Sequence, residues 1–358
     1  MAKAKFEGIS VKSVAVCHGP LKRTAEEETE LFAGAPEQLQ RVRDFVGIHT
    51  RWLAPRGVTT LDLGEKAVRR LVAEGVLDLE KLGAIVFVTQ TPDHFQPANA
   101  NLLHGRLRLS KEVLAFDVNQ GCSGWIYGLY LAASLLAGGS SGPVLLVSGD
   151  TVSQCIHPRD RTLRPLFSDA CAAAVIEKDD RGKPWYFDLC SDGQGAGAIC
   201  IPAGAHRQPP GGASAEEKTD AEGNVRSAEN LFMDGMEVFN FTLREEPRAV
   251  KGLLDWAAID PGEVEAFVFH QANLFILQNL AKRLKIPMEK VPHQTLRDFG
   301  NQSSASVPAV WCYEWSDTLQ KRGVTMLSSG FGVGLSWASL VGEIGPLSWA
   351  GIFPYDGD

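Results

Sequence analysis

Cys122 sits in the run Asp117-Val118-Asn119-Gln120-Gly121-Cys122-Ser123-Gly124-Trp125, bracketed by Gly121 and Gly124. An apolar strand pattern ends near Val118, and the helical pattern Ile126, Leu129, Ala133, Leu136 opens just after the cysteine. A thiol in the first turn of a helix meets the positive end of the dipole and unpaired N–H groups, and both favour thiolate. The glycines keep bulk away from an approaching acyl group. These residue types suit acyl transfer through an enzyme thioester; the competing reading is an inert buried cysteine. His270 closes the apolar strand Phe267-Val268-Phe269, and it reads either as a general base or as a neutral donor to a carbonyl oxygen. The other seven histidines (18, 49, 94, 104, 157, 206 and 293) lack so specific a setting. Gly330-Phe331-Gly332-Val333-Gly334 joins two strand patterns rather than opening a helix, so a dinucleotide fingerprint fits poorly. Its glycines suit close backbone approach, with N–H groups free to form an oxyanion hole.

Elements able to carry these residues alternate along the chain, which is the pattern of an α/β architecture. Nearly continuous apolar runs at 85–88, 113–116, 144–147, 267–269 and 325–327 read as central strands covered on both faces. Helical faces are Leu63, Ala67 and Leu71 after a Thr60/Asp62 start, and Val250, Leu253, Leu254 and Ala257 before Pro261-Gly262. Two strand patterns recur. Residues 83–90 resemble 265–272, and 142–148 resemble 322–328, at spacings of 182 and 180. The chain therefore reads as two copies of one α/β half, 1–180 carrying the cysteine and 181–358 carrying the histidine. Asn301 lies 179 positions after Cys122. In Phe299-Gly300-Asn301-Gln302-Ser303 it either caps the next helix or faces Cys122 across the junction of the halves. Residues 202–229, rich in Pro and Gly, read as a mobile excursion or lid, or equally as a passive insertion.

Composition narrows the classes. With 358 residues, 44% hydrophobic and 22% charged, the chain can bury a large core, which excludes wholesale disorder. A formal net charge of −8 argues against a nucleic-acid surface. No run approaches the roughly 18 apolar residues of a membrane span, and no export signal is evident. The seven cysteines are scattered without a CxxC pair, so a cytoplasmic protein with reduced thiols and no metal is expected.

Together, Cys122 in its glycine-flanked turn, His270-Gln271-Ala272-Asn273, Gly300-Asn301-Gln302-Ser303 and Phe331-Gly332-Val333-Gly334 resemble a β-ketoacyl-ACP synthase III. Leu166-Phe167-Ser168-Asp169-Ala170 and 233–239 match it too, and the resemblance runs from about Gly47 to Glu343. It implies a thiolase-like five-layer αβαβα fold of two pseudo-twofold halves, and a homodimer. It also implies decarboxylative condensation of an acyl thioester, acyl-CoA or acyl-ACP, with a malonyl thioester on acyl carrier protein. Cys122, His270 and Asn301 would be catalytic, with the N–H groups of Cys122 and Val333 as oxyanion hole. Thioesters would be substrates, and no metal or bound cofactor is needed. Arg161, Lys282 and Arg283 match basic family positions for substrate or carrier. Phe95 marks an acyl-pocket region. Phe45 and Phe275 stand where housekeeping members carry arginines for CoA and the carrier. Those departures suggest a specialised member. An acyltransferase to oxygen or nitrogen, and a non-catalytic subunit of a condensing heterodimer, are the alternatives.

Overall fold

A computed structural model describes residues 2–32 and 36–357. Its main strands are β1 (Ala2–Phe6), β2 (Ile9–His18), β3 (Ala84–Val88), β4 (Leu114–Val118), β5 (Val144–Asp150), β6 (Ala170–Lys178), β7 (Trp185–Ser191), β8 (Ala266–Phe269), β9 (Val324–Gly332), β10 (Ser336–Ile344) and β11 (Trp349–Pro354). They form one sheet ordered β11-β2-β6-β5-β3-β4 and another ordered β1-β7-β10-β9-β8. In the first, β3 is parallel to β5, while β5–β6 and β6–β2 are antiparallel. In the second, β8–β9, β9–β10 and β10–β7 repeat those relations. The sequence repeat is thus a repeat of topology.

The principal helices are α1 (Thr60–Ala73), α2 (Asn99–Arg106), α3 (Gly124–Ala137), α4 (Gly235–Ala257), α5 (Leu274–Leu284) and α6 (Ser306–Tyr313). α1 and α2 cover the outside of the first sheet, and α4 and α5 the outside of the second. α3 and α6 lie between the sheets, giving five layers. Their apolar character on nearly every face follows from burial between two sheets; fully buried Trp125 and Trp311 meet edge to face at 5.6 Å. α1 begins in a capping box, with the Thr59 hydroxyl accepting from the Asp62 amide and the Asp62 carboxylate from the Thr59 amide.

Three sequence expectations need correcting. β4 is an edge strand, paired to β3 alone, and Leu114 is 49% exposed; its apolar pattern does not mark a central strand. α4 starts at Gly235, well before the apolar stripe, because Asp234 caps the Met236 and Glu237 amides and Pro247 is tolerated inside. It ends at Ala258, in the left-handed region, before Pro261 is reached. The 180/181 boundary falls between β6 and β7, but the terminal strands cross it: β1 pairs with β7, and β11 with β2. The excursion at 202–229, whose two readings the sequence leaves open, carries its own hydrogen bonds. Lys218–Thr219 pairs with Val225–Arg226, Arg226 meets buried Asp160, and Asn224 accepts from the Arg161 amide.

Glu246 of α4 is buried against the Ser329 hydroxyl of β9, and burial raises its carboxyl to about 8 from an ordinary 4.5. The folded state then holds a proton that the unfolded chain releases, so stability falls as pH rises from about 4.5 to about 8. Denaturant midpoints measured across that window should decline, and Glu246→Gln should flatten the decline.

Candidate active site

The carboxyl ends of β3, β4, β5, β8 and β9 converge where the two halves meet, and a cavity of about 320 Å³ opens there. Cys122, His270 and Asn301 all line it, as do Ser303, Gly332 and Val333. The pseudo-twofold placement of Asn301 opposite Cys122 is therefore what the chain adopts. The two helix starts approach so closely that a Cβ on Gly124 would lie 3.3 Å from the Ser304 Cβ.

Backbone packing sets Cys122 in place. A Cβ at Gly330 would sit 2.5 Å from the Cys122 carbonyl oxygen, and one at Gly332 would sit 2.9 Å from Cys122 Sγ. Only glycine leaves the thiol its position. Gly332→Ala should displace it and slow acyl loading by about 10²-fold, measured as acyl mass appearing on the protein with time.

The expected thiolate is corrected by the structure. α3 begins at Gly124 with Ser123 as N-cap, so Cys122 precedes the first turn. Burial pushes its thiol up to about 12, and the neighbouring Asp150 carboxylate adds to the rise. The Ser303 hydroxyl and the N–H groups of Val333 and of Cys122 itself oppose it. Those two N–H groups bear on the sulfur itself.

His270 is 2% exposed, and burial lowers its imidazole to about 3, with the Ser303 carbonyl opposing. The ring is neutral at physiological pH. Its Nδ1 lies 2.7 Å from Ser306 Oγ, which also accepts from the Gln271 amide at 3.3 Å. Asn301 is held at both ends of its peptide unit: its N–H donates to the Leu166 carbonyl, and its carbonyl accepts from the Ser168 amide. Its side-chain Oδ1 accepts from the Ser303 amide at 2.9 Å, leaving Nδ2 as donor. Asn301 lines the cavity as the second reading requires, but it is not the helix cap: Gln302 precedes the 3-10 turn Ser303–Ala305 and Ala305 precedes α6, while the Asn301 side chain closes a local turn onto the Ser303 amide.

The remaining wall is mainly apolar, including Val152, Ile199, Leu231, Met233 and Val238. Sequence reasoning missed these residues, and also Ser303 and Ser306; the run Ser303-Ser304-Ala305-Ser306 after Asn301 was the available signal. The other proposed binding residues lie outside the cavity. Phe275 is 41% exposed, stacked on Phe239 at 5.2 Å and edge-on to Phe45 at 6.1 Å. Arg283 lines an outer groove with Arg244, Arg248 and Lys251, and exposed Lys282 neighbours it on α5. Arg161 lines a surface depression with Arg159 and Arg164. Phe95, 77% exposed, lines an outer groove that shares Gln90 and Thr91 with the cavity. Among the described residues, no cluster of His, Cys, Asp or Glu could hold a metal, and no helix is long and apolar enough to cross a membrane.

A cysteine, a neutral histidine and an asparagine converging between two such halves define a site of the thiolase-like condensing type. The models for 3-oxoacyl-[acyl-carrier-protein (ACP)] synthase III match residues 116–193 and, for its C-terminal part, 254–344. A β-ketoacyl-[acyl-carrier-protein] synthase III of Caldanaerobacter subterraneus is 33% identical over 82% of this chain and 86% of its own. The crystal structure of a 3-oxoacyl-(acyl-carrier protein) synthase from Burkholderia xenovorans superposes with a TM-score of 0.92, at 35% identity over 99% of both chains. The priming β-ketosynthase of the R1128 polyketide pathway superposes at 0.78, with 25% identity over 95% of this chain and 97% of its own. The chain belongs to the 3-oxoacyl-[acyl-carrier-protein] synthase III family.

Proposed function

We propose that the protein condenses an acyl thioester with a malonyl thioester, releasing CO2 and leaving a β-ketoacyl thioester. The observation that carries this reading is the meeting of Cys122, neutral His270 and the free Asn301 amide in one cavity. Cys122 attacks the acyl donor, an acyl-CoA or acyl-carrier thioester, and the oxyanion forms against the N–H groups of Cys122 and Val333. CoA or the carrier thiol leaves. A malonyl thioester on acyl carrier protein then enters. Ser306, accepting from the Gln271 amide, donates its hydroxyl hydrogen bond to His270 Nδ1, so the neutral ring carries its one proton on Nε2. His270 and Asn301 donate to the malonyl thioester carbonyl, stabilising the enolate left when CO2 departs, and that carbanion attacks the acyl-cysteine.

On this reading neither metal nor redox cofactor takes part, because thioester and carboxylate supply all the chemistry. The reading includes a cytoplasmic homodimer; the unpaired edge of β4 and the groove around Phe95 are surfaces suited to a second copy. Arg161, Phe275, Lys282 and Arg283 belong to the outer approach taken by the donor or carrier. Transfer to a hydroxyl or amine is disfavoured, since it would leave the Asn301 donor without a use. Incubation with a panel of acyl-CoA and acyl-carrier donors, then malonyl-carrier, should give an acyl mass on Cys122 followed by CO2. Neither event from any donor overturns the reading.

A further inference from the structure

Two side-chain amides line the cavity and take no part in the reaction above. Gln90 lies two residues beyond β3 and Asn119 one residue beyond β4, the strand paired with it. The ends of these strands are tied. The Thr89 amide donates to the Val118 carbonyl at 3.1 Å, and the Gln90 amide donates to buried Asp150 Oδ1 at 2.7 Å. Thr89 Oγ1 reaches the same carboxylate oxygen at 3.1 Å. Among the described residues, neither the Gln90 nor the Asn119 side-chain amide makes a hydrogen bond. Their neighbour Thr91 is already engaged, its hydroxyl 2.7 Å from that of Thr60.

Gln90 has been given room beside the nucleophile. A Cβ at Gly121 would fall 2.0 Å from Gln90 Oε1 and 2.6 Å from Val333 Cγ1. The Gln90 amide thus lies across the residue that precedes Cys122, and a side chain at 121 would push it off. One Cα step, about 3.8 Å, separates that residue from Cys122. An acyl group that is carried on Sγ and fills the cavity meets the amide within its first few carbons. Solvent reaches both amides in the free protein. Filling the cavity displaces that water, and a plain alkyl chain offers nothing in exchange. The amides then lose their hydrogen bonds, whereas an acyl group bearing its own oxygen restores them.

We propose that Gln90 and Asn119 select an acyl donor whose acyl group carries a hydroxyl or keto oxygen on carbon 3, over the plain alkyl group of equal length. The inference rests on the condensing reading above and names the class of its first substrate. An amide both donates and accepts, so a hydroxyl and a keto oxygen each find a partner. The apolar wall of Val152, Leu231 and Met233 takes the hydrocarbon that remains.

The test compares acyl loading from matched donors, read as the rate at which acyl mass appears on Cys122. Butyryl and octanoyl groups are set against their 3-hydroxy and 3-oxo counterparts, each as CoA and as carrier thioester at equal subsaturating concentration. Wild type should load at least one oxygenated group about tenfold faster than its plain counterpart. Gln90→Met and Asn119→Leu keep side-chain volume and remove the amide. Each should lower that ratio by at least about threefold, and the double variant should bring it to about one. Wild-type ratios within threefold of one for every pair overturn the selection. A ratio that survives in the double variant does so too, as does a loss of equal size for plain and oxygenated donors, the mark of a role toward the shared thioester arm or the fold. A wild-type protein that loads no donor and releases no CO2 instead overturns the condensing reading itself.

Discussion

Cys122→Ala is expected to abolish acyl loading, lowering the rate by at least about 10⁴-fold. The change removes one sulfur from a side chain facing a cavity, so the fold should survive and the loss reads as chemistry. The measurement has an internal control. Cys155 and Cys200 line the same cavity, and Cys155 is likewise pushed up, to about 11. If cavity position alone made a thiol reactive, the variant would still gain an acyl group on one of these. The Val333 amide reaches Cys122, and the helix start lies behind it. Intact mass after exposure to the best donor should show one acyl group on wild type and none on the variant. An acyl group on Cys155 or Cys200 would overturn the assignment.

His270→Ala and Asn301→Ala should spare loading and cripple the second half-reaction. Each removes one donor to the malonyl carbonyl, and loss of one such donor costs roughly 10²–10³-fold. CO2 release from malonyl-carrier should therefore fall by that factor, while acyl mass on Cys122 still accumulates within about tenfold of the wild-type rate. The pH dependence sharpens the assignment. An ordinary histidine would impose a change near 6.5; one lowered to about 3 stays neutral throughout the working range. Wild-type CO2 release should thus show no histidine limb between pH 5 and 8. A limb near 6.5 that vanishes in His270→Ala would reassign the imidazole as a base.

The positions of the three reactive residues were legible for a physical reason. Each stands at the end of an apolar strand or at the opening of a helix, and a duplicated half carries one such junction to a predictable place in the other. Asn301 could be set opposite Cys122 by spacing alone. The ionisation of Cys122 was not legible, because it depends on Asp150, Ser303 and Val333, which lie 28 to 211 positions away. The apolar wall was hidden likewise: Val152 opens a 3-10 turn, and Leu231 and Met233 lie in or beside a two-residue strand, elements too short for any periodicity to reveal. β4 misled because apolar pattern reports what a strand can bury, and its neighbours decide what it does bury. The start of α4 was missed because Pro247 breaks the expected pattern while Asp234 supplies the cap upstream.

The crossing of the terminal strands bears on how the molecule is made. During synthesis β1 emerges well before its partner β7, which lies some 180 residues later, and β2 must wait for β11 at residues 349–354. Until residues 349–354 leave the ribosome, the edge of β2 stays open, a strand able to pair with any neighbouring chain. The amino-terminal half cannot therefore be finished as it is translated. A nascent chain stalled before residue 349 would be the aggregation-prone species, and a carboxy-terminal tag or truncation would act on the sheet that carries the nucleophile.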